Sequence, residues 1–211
     1  MTPSVEILKV GYSILNEEAK FMKANCTCTL VRDNNKIMLV DTLTAWDGIF
    51  LLKALEERGL QADDITHVVG THGHSDHIGN LNLFTKALHI VGQSISHQDE
   101  YYLHSFEEND AYVISENIKI IATPGHTLSD VSVIVNGTLL GTVAIVGDLF
   151  EREDDIRNPD LWHKVAGSED PDLQFKYRTM ILDLADYVVP GHGPGFTVTN
   201  ELKESHKKPE K

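Results

Sequence analysis

A stretch of ten residues decides the fold: residues 71–80 read THGHSDHIGN. It directly follows residues 65–69, an apolar segment that is typical of a buried β-strand. His72 and His74 are two positions apart, so in extended backbone their imidazoles project to the same side. Asp76 and His77 follow at once. Four such side chains within six residues predict a metal site, because imidazole and carboxylate suit Zn²⁺, with Fe and Mn as alternatives.

Three more residues of the same chemical type occur in matching contexts. His126 follows a predicted strand, Asp148 follows another, and His192 lies in a Pro-Gly-His-Gly-Pro turn after the last one. Each interrupts an apolar run at a Gly or Pro turn, where the chain can bring a side chain close to an ion. This repetition weakens the alternative interpretation, in which residues 71–80 form a His-rich surface loop.

The rest of the chain alternates between strand and helix patterns. Asp47 is expected to cap a helix that ends at Arg58, Ser168 to cap a helix over 171–185, and Asn136-Gly137 to form a hairpin turn. These patterns predict an α/β or α+β sandwich with ligand residues at strand ends. Residues 1–200 are expected to form one domain, and 201–211 a polar, disordered tail. The predicted strands cover residues 5–12, 27–32, 36–41, 65–69, 117–122, 131–135, 139–146 and 187–189.

The ligand-type residues together resemble the complete motif set of the metallo-β-lactamase superfamily: His72, His74, Asp76, His77, His126, Asp148 and His192. The resemblance covers nearly the whole chain and implies an α+β fold, a four-layer αββα sandwich in a single domain. It implies two Zn²⁺ and a bridging hydroxide. One metal would be held by His72, His74 and His126, and the other by Asp76, His77 and His192. Asp148 would bridge both metals.

Two residues outside the ligand set, Asp41 and Leu43, also bear on this resemblance. Asp41 matches the first motif of the family and is expected to support the ligands from behind. The family often has Gly two residues later, whereas this chain has Leu43. The shape of that loop is therefore expected to differ. For the reaction, we expect Asp148 to position the nucleophile and Asp76 to accept its proton.

The choice among branches of the family rests on ligand type and segment length. A site of nitrogen and oxygen ligands resembles the glyoxalase II and nuclease branches. The 19 residues after His192 are too few for the helical domain of glyoxalase II, and the 44 residues from Asp148 to His192 are too few for the cap of long RNA-processing nucleases. Residues 71–81, 140–152 and 188–194 resemble glyoxalase-II-like members. This resemblance implies a homodimeric di-zinc endoribonuclease that processes the 3′ end of histone pre-messenger RNA.

The charge pattern limits how such a protein could bind RNA. The chain has 18 Lys and Arg against 32 Asp and Glu, a formal net charge of −14, and residues 91–172 carry most of the excess. Broad binding through the RNA backbone is excluded, because it requires clustered cations. The acidic clusters, including residues 151–155, are expected to be solvated loops. Two Zn²⁺ and one hydroxide would bring the total to about −11.

Several features predict the cellular context. The N-terminus lacks a basic start followed by an apolar run, and no stretch reaches the roughly 18 apolar residues of a membrane span. Cys26 and Cys28 are two lone cysteines, which fits a reducing compartment. We expect a cytosolic protein, with the nucleus as a second location, that is neither secreted nor bound to a membrane.

The candidates for substrate contact are Trp46, Tyr101, Tyr102 and Lys164. The two tyrosines could stack on bases or belong to an amphipathic helix, and Trp46 could line the site or pack in the core. Lys176 and Arg178 are further candidates for binding phosphate. Two other functions stay open from sequence: hydrolysis of a small thioester or lactone, and a non-catalytic binding protein stabilised by metal.

Overall fold

The computed structural model describes residues 2–107 and 110–206. Three α-helices lie in this part of the chain: α1 Gly48–Glu56, α2 Pro171–Leu184 and α3 Asn200–Ser205. The strands in the first half are β1 Ser4–Lys9, β2 Tyr12–Asn16, β3 Phe21–Asn25, β4 Cys28–Asp33, β5 Lys36–Val40, β6 His67–Gly70, β7 Leu88–Val91, β8 Ser94–His97 and β9 Glu100–Tyr102. Those in the second half are β10 Tyr112–Val113, β11 Ile118–Ala122, β12 Val131–Thr138, β13 Gly141–Ile145, β14 Tyr187–Val189 and β15 Phe196–Thr197.

Two mixed sheets form the centre of the molecule. The first has the order β1-β4-β5-β6-β7-β8-β9 and the second the order β10-β11-β12-β13-β14-β15. Apolar residues from both sheets pack into one buried cluster between them, among them Val31, Val69, Ile120, Val133 and Ile145. The hairpin of β2 and β3 pairs with neither sheet among the described residues. The strands of each half therefore bury one face against the other half.

Helices cover the two outer faces. Leu51 and Leu55 of α1 pack with Val68 of the first sheet. Ile181 of α2 and Leu202 of α3 pack in a separate cluster on the second sheet. The predicted four-layer αββα sandwich is therefore confirmed. No described helix is both long enough and apolar enough to cross a membrane.

The topology collects the ends of several strands at one edge. Strands β5, β6 and β7 are parallel, as are β13 and β14, so their carboxyl ends point the same way within each sheet. Asp41 follows β5, His72 follows β6, Asp148 follows β13 and His192 follows β14. Ligands commonly bind outside the carboxyl ends of parallel strands, and these four residues lie there.

The local predictions for turns and caps were wrong at two places and partly right at a third. Asn136 and Gly137 lie within β12 as a bulge, because Thr138 still pairs with Gly141. Asp170, rather than Ser168, caps α2 by accepting a hydrogen bond from the Leu173 N–H group. Asp47 occupies the N-cap position of α1 as predicted, but its side chain makes no capping bond.

The boundaries also differ at both ends of the chain. The strand predicted over residues 5–12 is divided into β1 and β2, with a break near Gly11. A Cβ atom at Gly11 would lie 2.5 Å from the Thr27 nitrogen, so the chain turns where only glycine fits. The predicted disordered tail begins with α3, and Leu202 is buried. The rest of that tail, residues 207–211, lies outside the described residues.

Candidate metal centre

Three imidazoles and one carboxylate form the first of two neighbouring clusters. His72 Nε2 lies 2.8 Å from His74 Nδ1, and His126 Nε2 lies 3.2 Å from the same atom. Asp148 Oδ2 lies 3.6 Å from His72 Nε2 and 3.4 Å from His126 Nε2. Four ligands about 2.0–2.1 Å from a tetrahedral cation lie roughly 3.3 Å apart, so these spacings fit such an ion.

The second cluster lies on the other side of Asp148. Oδ1 of Asp148 is 3.2 Å from His77 Nε2 and 3.2 Å from His192 Nε2. Oδ2 of Asp76 is 3.9 Å from His77 Nε2 and 3.8 Å from His192 Nε2. The ligand atoms of each set are close enough to hold a metal ion. Oδ2 of Asp148 also lies 3.2 Å from His192 Nε2. The Asp148 carboxylate therefore lies between the two clusters and contacts residues of both.

Three buried polar atoms in the second cluster test whether a cation fits there. Asp76 Oδ2, His77 Nε2 and Asp148 Oδ1 are buried and make no hydrogen bond within the described part of the chain. A polar atom left in this state costs about 1–3 kcal/mol. Two oxygens and one nitrogen that face the same point satisfy each other only through a shared positive centre, so the residues fit a metal ion.

The pKa shifts of residues in the two clusters also fit a bound cation. Burial lowers the pKa of His72 well below its ordinary value, and this keeps the imidazole neutral. Burial opposes ionisation of Asp148, but the neighbouring His192 and His77 hold its pKa well below the usual range. Burial lowers the pKa of His192, yet Asp148 dominates and raises it to about 9. Since metal ligands must be deprotonated, a bound cation would displace the His192 proton.

Comparison with known proteins decides the family. The sequence profile described as the metallo-beta-lactamase superfamily matches residues 23–192. The chain belongs to the metallo-β-lactamase superfamily. Its architecture and its two His/Asp clusters, which are able to bind metal, are those of a metallo-hydrolase of this superfamily.

Named relatives and a solved structure agree with this membership. Metallo-beta-lactamase domain-containing protein 1 from Xenopus laevis is 44% identical over 197 residues, which cover 92% of this chain and 82% of the relative. The Homo sapiens protein of the same name is 46% identical over 169 residues, or 79% of this chain and 62% of the relative. The chain thus spans less than two thirds of the human protein. The structure of an N-acyl homoserine lactone hydrolase has a TM-score of 0.62 at 17% identity and covers 87% of this chain and 88% of its own.

Asp41 supports the ligands of this metallo-β-lactamase domain from behind. Its Oδ1 accepts a 2.7 Å hydrogen bond from the Thr71 N–H group, and its Oδ2 lies 2.9 Å from His77 Nδ1. This contact turns Nε2 of His77 toward the second cluster. Leu43 has φ +61°, the left-handed conformation that glycine favours, and its side chain is fully buried. Leu43 therefore adopts a backbone conformation that suits glycine, while its side chain is used in the core.

Glu151 is the neighbour of the metal centre that sequence reasoning missed. Residues 151–155 were expected to be a solvated acidic loop, but Glu151 and Asp155 are buried. The Glu151 carboxylate lies close enough to Asp148 and His192 to form a third donor set with them. Burial and the nearby Asp148 raise its pKa to about 7. In the sequence, only its position three residues after Asp148 indicates that Glu151 lies near the metal centre.

The expected substrate-contact residues are dispersed. Trp46 is 92% exposed, which rules out core packing. Gly79 of the ligand loop closely approaches the nitrogen of Ala45, so Trp46, the next residue, stands beside that loop. Tyr101 and Tyr102 lie on β9, the edge strand of the first sheet, and therefore not on a helix. They line an open groove of about 990 Å³ that includes none of the clustered His and Asp residues.

The basic candidates make no contact with the clustered ligands among the contacts of the described residues. Lys164 is paired with Asp160 on the surface. Arg178 was a candidate for binding phosphate, but it is fully buried and paired with Asp155. A guanidinium group in that position cannot reach a substrate. Lys176 is exposed on α2 and lines a cavity with Lys119, apart from both clusters.

Proposed function

We propose that this chain is a di-zinc endoribonuclease that hydrolyses phosphodiester bonds in RNA. The observation that carries the proposal is the position of Asp148, which lies between the two clusters and whose carboxylate contacts residues of both. A carboxylate shared in this way would hold two cations side by side. Paired cations suit an in-line displacement at phosphorus, because they stabilise the attacking and the leaving oxygen together.

The donor set favours an anionic substrate. The two clusters contribute five imidazoles and two carboxylates. Two divalent cations would exceed the charge of Asp76 and Asp148 by about two units, within a chain whose formal charge is −14. This local positive charge supports a phosphodiester as the bound group. The acidic surroundings support contact with only a short stretch of RNA.

The exposure of the centre supports a polymeric substrate. His74 and its neighbours Gly73 and Ser75 are exposed, although His72 and His77 are buried beneath them. An endonuclease must admit an internal bond of a chain that continues in both directions. Trp46 is exposed and follows Ala45, which contacts Gly79 of the ligand loop, and its ring offers a flat surface on which a base could stack.

Different residues of the site would bind the metals, orient a ligand and accept a proton. His72, His74 and His126 would hold one Zn²⁺, Asp76, His77 and His192 the other, and Asp148 both. When bound, the metals supply an activated water and neutralise charge on the phosphate. Asp148 fixes the centre of the site, and Asp41 holds His77 in its orientation. Asp76 is only partly buried and accepts the proton of the attacking water.

The resemblance to nuclease-type relatives extends this proposal. The substrate would be histone pre-messenger RNA, cleaved near its 3′ end. The protein would act as a homodimer in the cytosol and the nucleus. Gel filtration with light scattering checks the dimer, because a homodimer has twice the 23.5 kDa mass of the chain.

A second function, hydrolysis of a small thioester or lactone, is favoured by a different observation. Ile14, Leu15 and Phe21 are exposed on the β2–β3 hairpin, and this hairpin is hydrogen-bonded to Glu151 beside the metal centre. An apolar acyl group could pack there. The lactone hydrolase that shares this fold shows that the scaffold accommodates such chemistry.

One panel assay separates these functions. Zinc-loaded protein is given single-stranded RNA, single-stranded DNA, S-lactoylglutathione and an acyl homoserine lactone. Asp148→Ala should abolish turnover without unfolding the protein, and Asp63→Ala, which removes an exposed carboxylate paired with Lys86, is the matched control. RNA cleavage lost only in Asp148→Ala supports the nuclease. Turnover of the thioester or lactone with intact RNA contradicts it, and no turnover at all favours the non-catalytic metal-binding alternative.

A further inference from the structure

A buried amide on α2 contacts the backbone on which Asp148 stands. Gln174 is fully buried, and its Nε2 donates hydrogen bonds of 3.1 Å to the Asp148 carbonyl and 3.4 Å to the Leu149 carbonyl. Its Oε1 atom is buried and has no hydrogen-bond partner within residues 2–107 and 110–206. The donor end of this side chain is therefore directed at the metal loop, and the acceptor end is unsatisfied.

The same residue also packs against the loop that carries His126. A Cβ atom at Gly125 would lie 2.3 Å from Gln174 Cα and 2.4 Å from its Cβ. The carbonyl of Gly125 accepts a 3.0 Å hydrogen bond from the Asp170 N–H group, just before α2. Gln174 therefore lies where a ligand loop of the first cluster meets the turn that bears the shared ligand.

The chemistry of the side chain is poorly suited to a purely structural role. A buried amide oxygen without a partner lowers the stability of the folded state, and an apolar residue of similar volume would fill the same space. What an apolar residue cannot supply is an N–H donor for the Asp148 carbonyl. Such departures from favourable packing are typical of functional sites.

We propose that Gln174 is a positioning residue that holds Asp148 between the two metal sites. The inference rests on the proposed two-metal function. The Leu149 carbonyl also accepts a 2.7 Å hydrogen bond from Arg178 Nη1, so the Asp148 carbonyl is the group that depends on Gln174. This hydrogen bond fixes the backbone from which the carboxylate extends. Without it, the carboxylate would sample positions in which it serves one cluster but not both. The effect should appear in metal affinity and in kcat, while KM stays nearly constant because Gln174 does not reach the substrate.

The test is Gln174→Met, which keeps the volume and removes both polar ends. The variant removes the unsatisfied Oε1 but leaves the Asp148 carbonyl without its donor, so these two effects oppose each other. We expect the metal-free variant to unfold within a few degrees of the wild type. The affinity for the second Zn²⁺, measured by competition with a chelating dye, should fall about tenfold, as is typical for residues that orient metal ligands. The value of kcat should fall by a similar factor.

Two further variants make the outcome decisive. Leu182→Met introduces the same residue at a buried position further along α2 and should change neither metal affinity nor kcat. Gln174→Glu keeps the shape but replaces the donor with an ionisable oxygen, so it should lose at least as much metal affinity as Gln174→Met. Metal affinity unchanged in both Gln174 variants overturns the positioning role. Wild-type protein that binds no metal contradicts the proposed function as well, which separates the two failures.

Discussion

The Ser13 hydroxyl donates a 2.8 Å hydrogen bond to Oε2 of Glu151, a residue 138 positions further along the chain. Arg152 adds a 3.1 Å hydrogen bond from Nη1 to the Ser13 carbonyl. These contacts attach the β2–β3 hairpin, which within the described part of the chain pairs with neither main sheet, to the turn that follows Asp148. The apolar side chains of the hairpin are thereby held beside the metal centre.

Replacing Ser13 with alanine should therefore affect substrate binding more than metal binding. Ser13→Ala removes the hydrogen bond to Glu151 and a longer one of 3.3 Å from Arg152 Nη1. The Glu151 carboxylate loses its partner, a cost of about 1–3 kcal/mol if water does not replace it. We expect KM for the cleaved substrate to rise about three- to tenfold, with two metals still bound. Steady-state kinetics and metal analysis check this. Ser105→Ala, on a distant loop, is the control, and an unchanged KM would show that the hairpin makes no contact with substrate.

Asp41→Asn should weaken the second metal site. An asparagine side chain can accept from Thr71, but its amide group then cannot accept from His77 Nδ1 as the carboxylate does. Loss of such a supporting contact typically reduces metal affinity about 10- to 100-fold. Titration of metal-free protein with Zn²⁺ in the presence of a competing chelator measures the change.

Asp33→Asn provides the matched control for this experiment. Asp33 is also buried and accepts hydrogen bonds from Ser115 and Asn117, but it lies at the opposite end of the β4–β5 hairpin. We expect this variant to lose stability and to keep its metal affinity. If Asp41→Asn and Asp33→Asn lost the same amount of Zn²⁺ affinity, Asp41 would affect metal binding only by stabilising the fold.

Leu43→Gly should destabilise the protein. Glycine would remove the strain of φ +61°, which is about 1–2 kcal/mol. It would also delete a fully buried leucine, which costs about 2–5 kcal/mol, and add backbone entropy to the unfolded state. We expect a net loss of about 2 kcal/mol in urea unfolding. A variant as stable as the wild type would show that backbone strain outweighs packing here.

The sequence revealed the metal centre because its chemistry is local. Residues 71–80 place four ligand-type side chains together, and the remaining ones each follow an apolar strand at a Gly or Pro turn. The structure brings these side chains into two adjacent clusters. The αββα fold was predictable for a related reason, since ligands at strand ends require those strands to lie side by side.

What the sequence could not reveal depends on contacts between distant segments. Glu151 and Asp155 look like surface acids, and only the packing of α2 shows that Arg178 covers Asp155. Gln174 gives no signal in sequence, because its role comes from the carbonyl groups that it reaches. Tyr101 and Tyr102 fit a helix as well as a strand, and pairing with β8 decides between them.

His206 should make the stability of the protein depend on pH. Its side chain is buried, and its ring stacks on Phe175 with 4.4 Å between the ring centroids. Arg178 is nearby. The ring also lines a cavity of about 340 Å³, which is bordered by the titratable or charged residues Arg157, His163 and Asp172. Burial, with a further contribution from Arg178, lowers the pKa of His206 from 6.5 to about 4. The unfolded chain therefore binds one more proton than the folded chain between about pH 6.5 and pH 4.

The sign of the effect follows from that difference. The neutral ring is fully compatible with folding above pH 6.5, and stability falls as the pH decreases from there toward 4. His206→Phe keeps an aromatic ring stacked on Phe175 and removes the titratable group. Relative to this variant, the wild type should lose about 1–2 kcal/mol between pH 7.5 and pH 5 in urea unfolding of metal-free protein. His67, whose pKa is also lowered to about 4, is common to both proteins and cancels in the comparison. A difference between the two proteins that is independent of pH would contradict the buried, neutral state of His206.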